Sequence, residues 1–199
     1  MAEPLADLVR QIPSFTERDL RELPLLTYGS QLQGSNNTQI GKKAMQEVFV
    51  AITEILEKSV SQKEGNKLTL KNAAGRTVFV ILSHDPDVCV QEQVENRIHH
   101  KVAIEVKGGT DISNAHNRAG EAEKSHLKAK QKGFKDFWTI ISKTGLEMYK
   151  LRQESQTTTE WFDVTEILAR EGRDWEDFSQ RLAGAAEIPL PTSKAKLKT

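Results

Sequence analysis

The hydrophobic period of the chain changes after residue 58, and this change limits the folds that it can form. Over residues 39–58 the apolar side chains recur every three or four positions. They are Ile40, Ala44, Val48, Ile52, Ile55 and Leu56. This spacing predicts a long amphipathic helix with Thr38 as its N-cap. From Leu68 onward the period falls to two or the apolar residues run together, which is typical of strands.

The later segments alternate between strand and helix patterns. Strands are expected at residues 68–70, 77–82, 87–91, 101–107 and 137–141, with weaker candidates at 148–151 and 161–164. A second long helix, capped by Asp111 or Ser113, is expected to run to Lys132 and to end at Gly133. Two short helices are expected near Glu166 and over residues 175–182. Because the middle strands are too close in sequence for helical crossovers, we expect an α/β fold with a mixed central sheet flanked by helices.

A length of 199 residues fits one domain with a small appendage. Residues 1–37 contain two short amphipathic patterns separated by Pro13 and ended by Pro24, and they predict an N-terminal helical appendage. Residues 38–188 form the predicted main domain. Residues 189–199 are expected to be a flexible basic tail.

The composition excludes several classes of protein. Hydrophobic residues make up 37% and charged residues 28%, as in globular proteins. No apolar run approaches the length of a membrane span, and the N-terminus lacks a basic start followed by an apolar stretch. The single Cys89 excludes an internal disulfide and a thiol-based zinc site. We therefore expect a soluble, cytoplasmic protein without a membrane partner.

The net charge of zero conceals a polarised distribution. Between Asn96 and Lys135 nine Lys or Arg residues face four acidic ones, whereas between Asp136 and Ile188 six basic residues face eleven acidic ones. All five histidines also lie in or beside the basic stretch. A local positive field of this kind attracts polyanions. The alternative is a solvated lysine-rich helix.

The strand predicted at residues 101–107 carries ionisable side chains near its end. Since side chains alternate along a strand, Glu105 and Lys107 lie on one face and the apolar Val102, Ile104 and Val106 on the other. A Glu-x-Lys pair by itself is typical of a simple ion pair on a half-exposed sheet. The pair by itself therefore does not distinguish an ion pair from a functional site.

The neighbours favour a site. Pro86-Asp87 begins a strand that can pair beside Glu105, and two close carboxylates favour a divalent cation such as magnesium. Asp85, in the same turn, is the rival for the role of Asp87. Gly108-Gly109 leaves the backbone open to a bulky polyanion, and the basic helix follows.

These motifs resemble the PD-(D/E)xK nuclease superfamily. The string AIEVKGGTDISNAHNRAGEAEKSHLKAKQKGF followed by FWTII is similar to type II restriction endonucleases, and within them to the XcyI-like family. The resemblance implies a nuclease-like fold for residues 38–188. It also implies a homodimer that cuts both strands of a palindrome in double-stranded DNA, with Mg2+ as cofactor and with 5'-phosphate and 3'-hydroxyl ends.

The resemblance also implies roles for individual residues. Asp87, Glu105 and the carbonyl of Val106 would bind magnesium, and Lys107 would orient or deprotonate the attacking water. Glu47 on the long helix matches an auxiliary acidic position of some members, or it is a surface glutamate. A repair or junction nuclease of the same superfamily, a non-catalytic nucleic-acid-binding module and an unrelated structural protein are the alternatives.

The basic helix supplies candidates for DNA contact. Asn114, Asn117 and Arg118 stand at its start, and Asn and Arg side chains can read adenine and guanine through paired hydrogen bonds. Lys124 and Lys128, together with Lys132, share one face that can follow a phosphate backbone. Capping and surface solvation are the alternatives. His126, near the alanine face of the helix, fits a structural role as well as a functional one.

Overall fold

The computed structural model of the protein describes residues 38–109 and 115–189, together with Thr16. The chain divides into two units, Met1–Gln39 and Ile40–Thr199, and the sheet belongs to the second. The two helices predicted before residue 38 and the tail from residue 190 lie outside the described residues. The predicted domain boundaries therefore stay a prediction.

The described residues form one mixed sheet whose strands follow in chain order. The strands are β1 (Val60–Glu64), β2 (Lys67–Lys71), β3 (Thr77–Leu82), β4 (Val88–Val94), β5 (Arg97–Lys107), β6 (Asp136–Ile141) and β7 (Glu160–Asp163). Neighbours from β1 to β5 are antiparallel, whereas β5, β6 and β7 are parallel. The mixed α/β architecture predicted from the sequence is confirmed.

The helices flank this sheet. They are α1 (residues 38–56), α2 (Ala115–Gln131), α3 (Met148–Glu154), α4 (Val164–Ala169) and α5 (Arg173–Ala186), and a short 3-10 helix (Glu57–Ser59) follows α1. None of these helices combines the length and the hydropathy of a membrane span.

Two segments differ from the prediction. The strand expected at residues 148–151 is wrong, because this segment is helix α3: Leu151 is buried with Met148 packed nearby, three residues away, while Tyr149 between them is 58% exposed. Strand β1 was not predicted. Its residues after Val60 are polar and exposed, so no apolar alternation marks this edge strand.

The two faces of β5 pack against different helices. Val102, Ile104 and Val106 lie in the main apolar core with residues of α1 and α5. The opposite face, represented by Ala103, packs against Ala129 of α2. Since α2 buries mainly alanines, it approaches this face of the sheet closely. The face that carries Glu105 and Lys107 is therefore the one covered by α2.

An ionic cluster joins β4, β5 and the turn between β2 and β3 to the end of α5. Glu187, which follows α5, accepts hydrogen bonds from Lys101 Nζ at 2.7 Å and from Arg76 Nη2 at 2.9 Å. Asn72 Nδ2 donates to the buried Glu92 Oε1 at 2.7 Å, and Arg76 Nε lies 2.7 Å from the same oxygen. These contacts tie β4 and β5 to the C-terminal helix and leave the other end of β5 for the site.

The two glycines after β5 make room for neighbouring parts of the protein. A Cβ on Gly108 would overlap the Cβ of Ala44 on α1, and a Cβ on Gly109 would meet the guanidinium group of Arg118. Gly108 is therefore required for the close packing of α1 against the chain that follows Lys107. The expectation that these glycines open the backbone to a polyanion is not needed to explain Gly108.

Gly108→Ala is expected to destabilise the protein by about 1–3 kcal/mol, because Ala44 belongs to a helix backbone that cannot move aside cheaply. Gly109→Ala meets only the mobile end of Arg118 and is expected to cost less than about 1 kcal/mol. Urea unfolding of both variants measures the difference. Equal losses in the two variants would contradict the packing role of Gly108.

Candidate active site

The turn before β4 brings Asp87 to the end of β5. Val88, the first residue of β4, pairs with Ile104, so Asp87 lies across from the residues that follow Ile104. Val106 N–H donates to Asp87 Oδ2 at 2.8 Å, and Asp87 N–H donates to Glu105 Oε1 at 3.4 Å. The two carboxylates predicted to meet are therefore neighbours across adjacent strands.

Lys107 completes this group. Its Nζ donates to Glu105 Oε2 at 3.0 Å, as the alternation along β5 predicts. The Glu105 side chain is only 2% exposed and that of Lys107 is 17% exposed. This burial excludes the interpretation as an ion pair on a half-exposed sheet.

Asp85 lies in a different environment. Its Oδ2 accepts from Lys128 Nζ at 3.0 Å, and its backbone carbonyl accepts from Lys132 Nζ at 2.8 Å. Asp85 therefore faces Lys128 of α2 and Lys132 just after it, whereas Asp87 faces Glu105 and Val106. This arrangement favours Asp87 over Asp85 as the partner of Glu105.

The electrostatics of the site follow from burial. Burial and, second to it, the charge of Asp87 raise the pKa of Glu105 to about 7, because Lys107 offsets only part of their effect. Burial also raises the pKa of Asp87, against the hydrogen bond from Val106. The buried Glu105 and the half-buried Asp87 thus share one ammonium group, which cannot neutralise both carboxylates. This donor set suits a divalent cation.

Comparison with known proteins identifies the family of the chain. The model of the XcyI restriction endonuclease family matches residues 1–189. The chain belongs to this family. The match includes residues 1–37, in which the sequence shows no recognisable motif. The resemblance predicted from the sequence is confirmed.

Two curated relatives of the chain are named type II restriction enzymes. Cfr9I of Citrobacter freundii is 41% identical over 170 residues, which cover 85% of this chain and 52% of the relative. XcyI of Xanthomonas campestris pv. cyanopsidis is 41% identical over 171 residues, which cover 85% and 51%. The chain therefore spans about half the length of these relatives. No solved structure matches this family member.

Side-chain ligands beyond the two carboxylates are few. Within the described residues, no group of three or more His, Cys, Asp or Glu side chains is arranged to hold a metal ion. Glu47 is exposed on α1, one turn after Ala44, which packs against Gly108. Its auxiliary role stays a prediction.

The DNA-contact candidates of this family member lie along α2, except for Asn114, which is outside the described residues. Asn117 and Lys124 are exposed. Lys128 is 61% exposed and pairs with Asp85 beside the site. Arg118 lies against Gly109, two residues after Lys107. Two of the candidates thus lie beside Gly109 and Asp85, which are two residues from Lys107 and Asp87 in the sequence.

Sequence reasoning missed a set of buried polar side chains beside Glu105. Thr139 on β6 is the Cα partner of Glu105, so their side chains share the face under α2. Thr139 Oγ1 lies 2.9 Å from His126 Nε2 and 3.0 Å from Thr158 Oγ1. In the sequence this set is marked only by the single threonine in the otherwise apolar run FWTII. That run predicts a buried strand and does not indicate a polar contact.

Burial also controls the ionisation of His126. Both His126 and Thr139 are fully buried, and burial lowers the pKa of His126 to about 4, with the charge of Lys107 acting in the same direction. Glu123 opposes this shift. His126 is therefore neutral in the folded protein at neutral pH.

The low pKa of His126 predicts a pH-dependent stability. Because an unfolded histidine has a pKa of about 6.5, the unfolded state takes up the proton first as the pH falls. The contribution of His126 to stability is thus complete above about pH 6.5 and is lost towards pH 4, by about 3 kcal/mol. His126→Gln removes this dependence, measured as the difference from wild type by urea unfolding at each pH.

The exposed His116 on the same helix gives the matched control. His116→Gln is expected to keep the wild-type pH dependence of the free energy of unfolding. A His126→Gln curve parallel to that of wild type would contradict the assignment of a buried neutral His126.

Proposed function

We propose that the chain is a magnesium-dependent, sequence-specific endonuclease of the type II restriction class, which acts on double-stranded DNA in the cytoplasm. It hydrolyses phosphodiester bonds to 5'-phosphate and 3'-hydroxyl ends. The observation that carries the proposal is the group formed by the buried Glu105 and the half-buried Asp87 and Lys107 at the end of β5. Both curated relatives are named type II restriction enzymes, which supports this activity.

Asp87 and Glu105 would hold the magnesium ion, with the carbonyl of Val106 as a further oxygen ligand. Lys107 alone does not neutralise the two carboxylates, and this supports the assignment. A bound cation would allow both carboxylates to ionise although they are shielded from water. When bound, the ion supplies a water of lowered pKa and neutralises charge that develops on the phosphate. Glu47 is retained as an auxiliary acidic position.

Lys107 orients the attacking water and stabilises the negative charge of the phosphate. Burial lowers the pKa of Lys107, but the charge of Glu105 and its hydrogen bond outweigh this effect, so the pKa is raised. The ammonium group therefore keeps its proton at neutral pH and acts as a donor. This favours orientation and charge stabilisation over deprotonation of the water.

DNA would contact α2, whose start carries the candidates for base reading and whose exposed face carries the lysines. Asn114, Asn117 and Arg118 would read base edges, while Lys124 and Lys128 would hold phosphates. A phosphate at Lys128 would compete with Asp85, which now holds its ammonium group. A homodimer would supply a second site for the other strand of a palindrome.

Replacement of Asp87, Glu105 or Lys107 by alanine is expected to lower cleavage of a plasmid by about 10²–10⁴-fold, because each removes a group that acts at the phosphate. The assay contains Mg2+ and resolves the products on a gel. Discrete bands are expected for a restriction enzyme, whereas a smear would indicate a less specific nuclease. Asp85→Asn is expected to retain more activity than Asp87→Asn, because Asp85 contacts the lysines instead of Glu105.

Near-normal cleavage by any of the three alanine variants would remove that residue from the catalytic group. A reversed order of the two asparagine variants would assign the metal to Asp85. Absence of Mg2+-dependent cleavage by the wild-type chain would favour a non-catalytic DNA-binding module.

Lys124→Ala and Lys128→Ala are expected to weaken binding to all DNA sequences alike and to reduce the dependence of affinity on salt, because phosphate contacts release counterions. Replacement of Asn117 or Arg118 is expected to reduce discrimination against single-base variants of the site by about 1–3 kcal/mol per lost contact. Fluorescence anisotropy in Ca2+ measures both effects without turnover.

Lys130 provides the matched control, since it is exposed on α2 but lies off the face of Lys124 and Lys128. Lys130→Ala is expected to leave the salt dependence unchanged. Unchanged salt dependence in the Lys124 and Lys128 variants as well would show that the DNA is held elsewhere.

A further inference from the structure

We propose that His126 is a positioning residue for Lys107, held in its Nε2–H tautomer by a directed chain of hydrogen bonds that starts at Glu123. In this tautomer the Nδ1 atom is an acceptor for the ammonium group of Lys107 through one bridging water. The role in cleavage rests on the proposed function. The tautomer itself rests on the hydrogen-bond geometry and on an ionised Glu123.

The chain consists of five side chains between α2, β6 and the segment before β7. His126 Nε2 lies 2.9 Å from Thr139 Oγ1, which lies 3.0 Å from Thr158 Oγ1. Thr158 Oγ1 lies 2.7 Å from Ser155 Oγ, and Ser155 Oγ donates to Glu123 Oε2 at 2.8 Å. All except Glu123 are buried.

Glu123 fixes one end of the chain. Burial raises the pKa of Glu123, but hydrogen bonds from the Thr157 hydroxyl, the Thr157 N–H and Ser155 outweigh this, so the pKa is lowered. An ionised carboxylate has no proton and only accepts hydrogen bonds. The hydroxyl proton of Ser155 must therefore point to Glu123.

The remaining directions follow because each hydroxyl has a single proton. Ser155 has used its proton, so it accepts from Thr158, and Thr158 in turn accepts from Thr139. Thr139 has then used its proton and must accept from His126. His126 consequently carries its proton on Nε2, and Nδ1 is a bare lone pair.

The unprotonated Nδ1 atom of His126 is an acceptor that lacks a hydrogen-bond donor within the described residues. It is buried and makes no hydrogen bond to any residue in the described part of the chain. An unsatisfied buried acceptor costs about 1–3 kcal/mol, so packing alone does not explain a histidine here. The hydrogen bond to Thr139 explains only Nε2.

Lys107 is the donor that the location favours. Thr139 pairs with Glu105 in the sheet, so His126 lies over the strand position two residues from Lys107, and the charge of Lys107 acts on His126. An ammonium group has three N–H donors, and Glu105 Oε2 takes one of them. A neutral acceptor at Nδ1 holds Lys107 without adding a second positive charge beside it.

The tautomer is tested on the wild-type protein by ¹⁵N NMR of its histidine rings, with His126→Gln to assign the signal. A proton on Nε2 with a bare Nδ1 is expected. In Glu123→Gln the amide can donate as well as accept, so the chain can reverse and the Nδ1–H form is expected to appear. A wild-type His126 with its proton on Nδ1 would overturn the proposal.

Two variants distinguish the contributions of the two His126 ring nitrogens to DNA cleavage. His126→Gln keeps a donor for Thr139 but has no acceptor at the place of Nδ1, whereas His126→Asn has an oxygen near that place but does not reach Thr139. His126→Gln is expected to lose about 10- to 100-fold in kcat with KM unchanged. His126→Asn is expected to lose less kcat even though its melting temperature falls further. Activities that instead follow the melting temperatures would overturn the positioning role.

His116→Gln serves as the control and is expected to keep the wild-type kcat. The two parts of the test also separate this proposal from the proposed function. A wild-type chain that does not cleave DNA would refute the nuclease, while the NMR result would still decide the tautomer.

Discussion

The structure depends on one electrostatic constraint, the placement of a buried and a half-buried carboxylate beside a single lysine at the end of β5. Burial of an ionised carboxylate costs free energy unless a positive charge or hydrogen bonds offset it. Lys107 and the Val106 N–H supply part of the offset, and the raised pKa of Glu105 shows that the rest is missing. A site of this kind is unfavourable for stability alone and useful for binding a cation.

Strand β5 is where the two halves of the sheet meet, and each neighbour contributes to the site. The antiparallel β4 brings Asp87 to Glu105, and the parallel β6 brings Thr139 to the other side of the same residue. Gly108 lets α1 pack directly behind Lys107. The alanine face of α2 covers the site and places His126 above it.

Much of this arrangement follows from local sequence patterns. Alternation along residues 101–107 is enough to put Glu105 and Lys107 on one face, and the strand phase set by Val88 and Val90 is enough to direct Asp87 to that face. What local patterns do not contain is contact between distant segments. The chain from Glu123 through Ser155 and Thr158 to His126 spans several elements, and its members are ordinary polar residues in sequence. The overlap of Gly108 with Ala44 is hidden for the same reason, and the polar edge strand β1 carries no hydrophobic signal.

The chain belongs to the XcyI restriction endonuclease family and spans about half the length of the curated relatives, while the geometry brings Asp87, Glu105 and Lys107 together at the end of β5. The central claim is that Asp87 and Glu105 form one metal site. Anomalous diffraction from crystals soaked in Mn2+ tests it most directly, because the signal locates the ion without reference to activity. A manganese peak in contact with the carboxylates of both residues is the predicted result. A peak at Asp85 or Glu47 alone, or no peak beside Glu105, would contradict it.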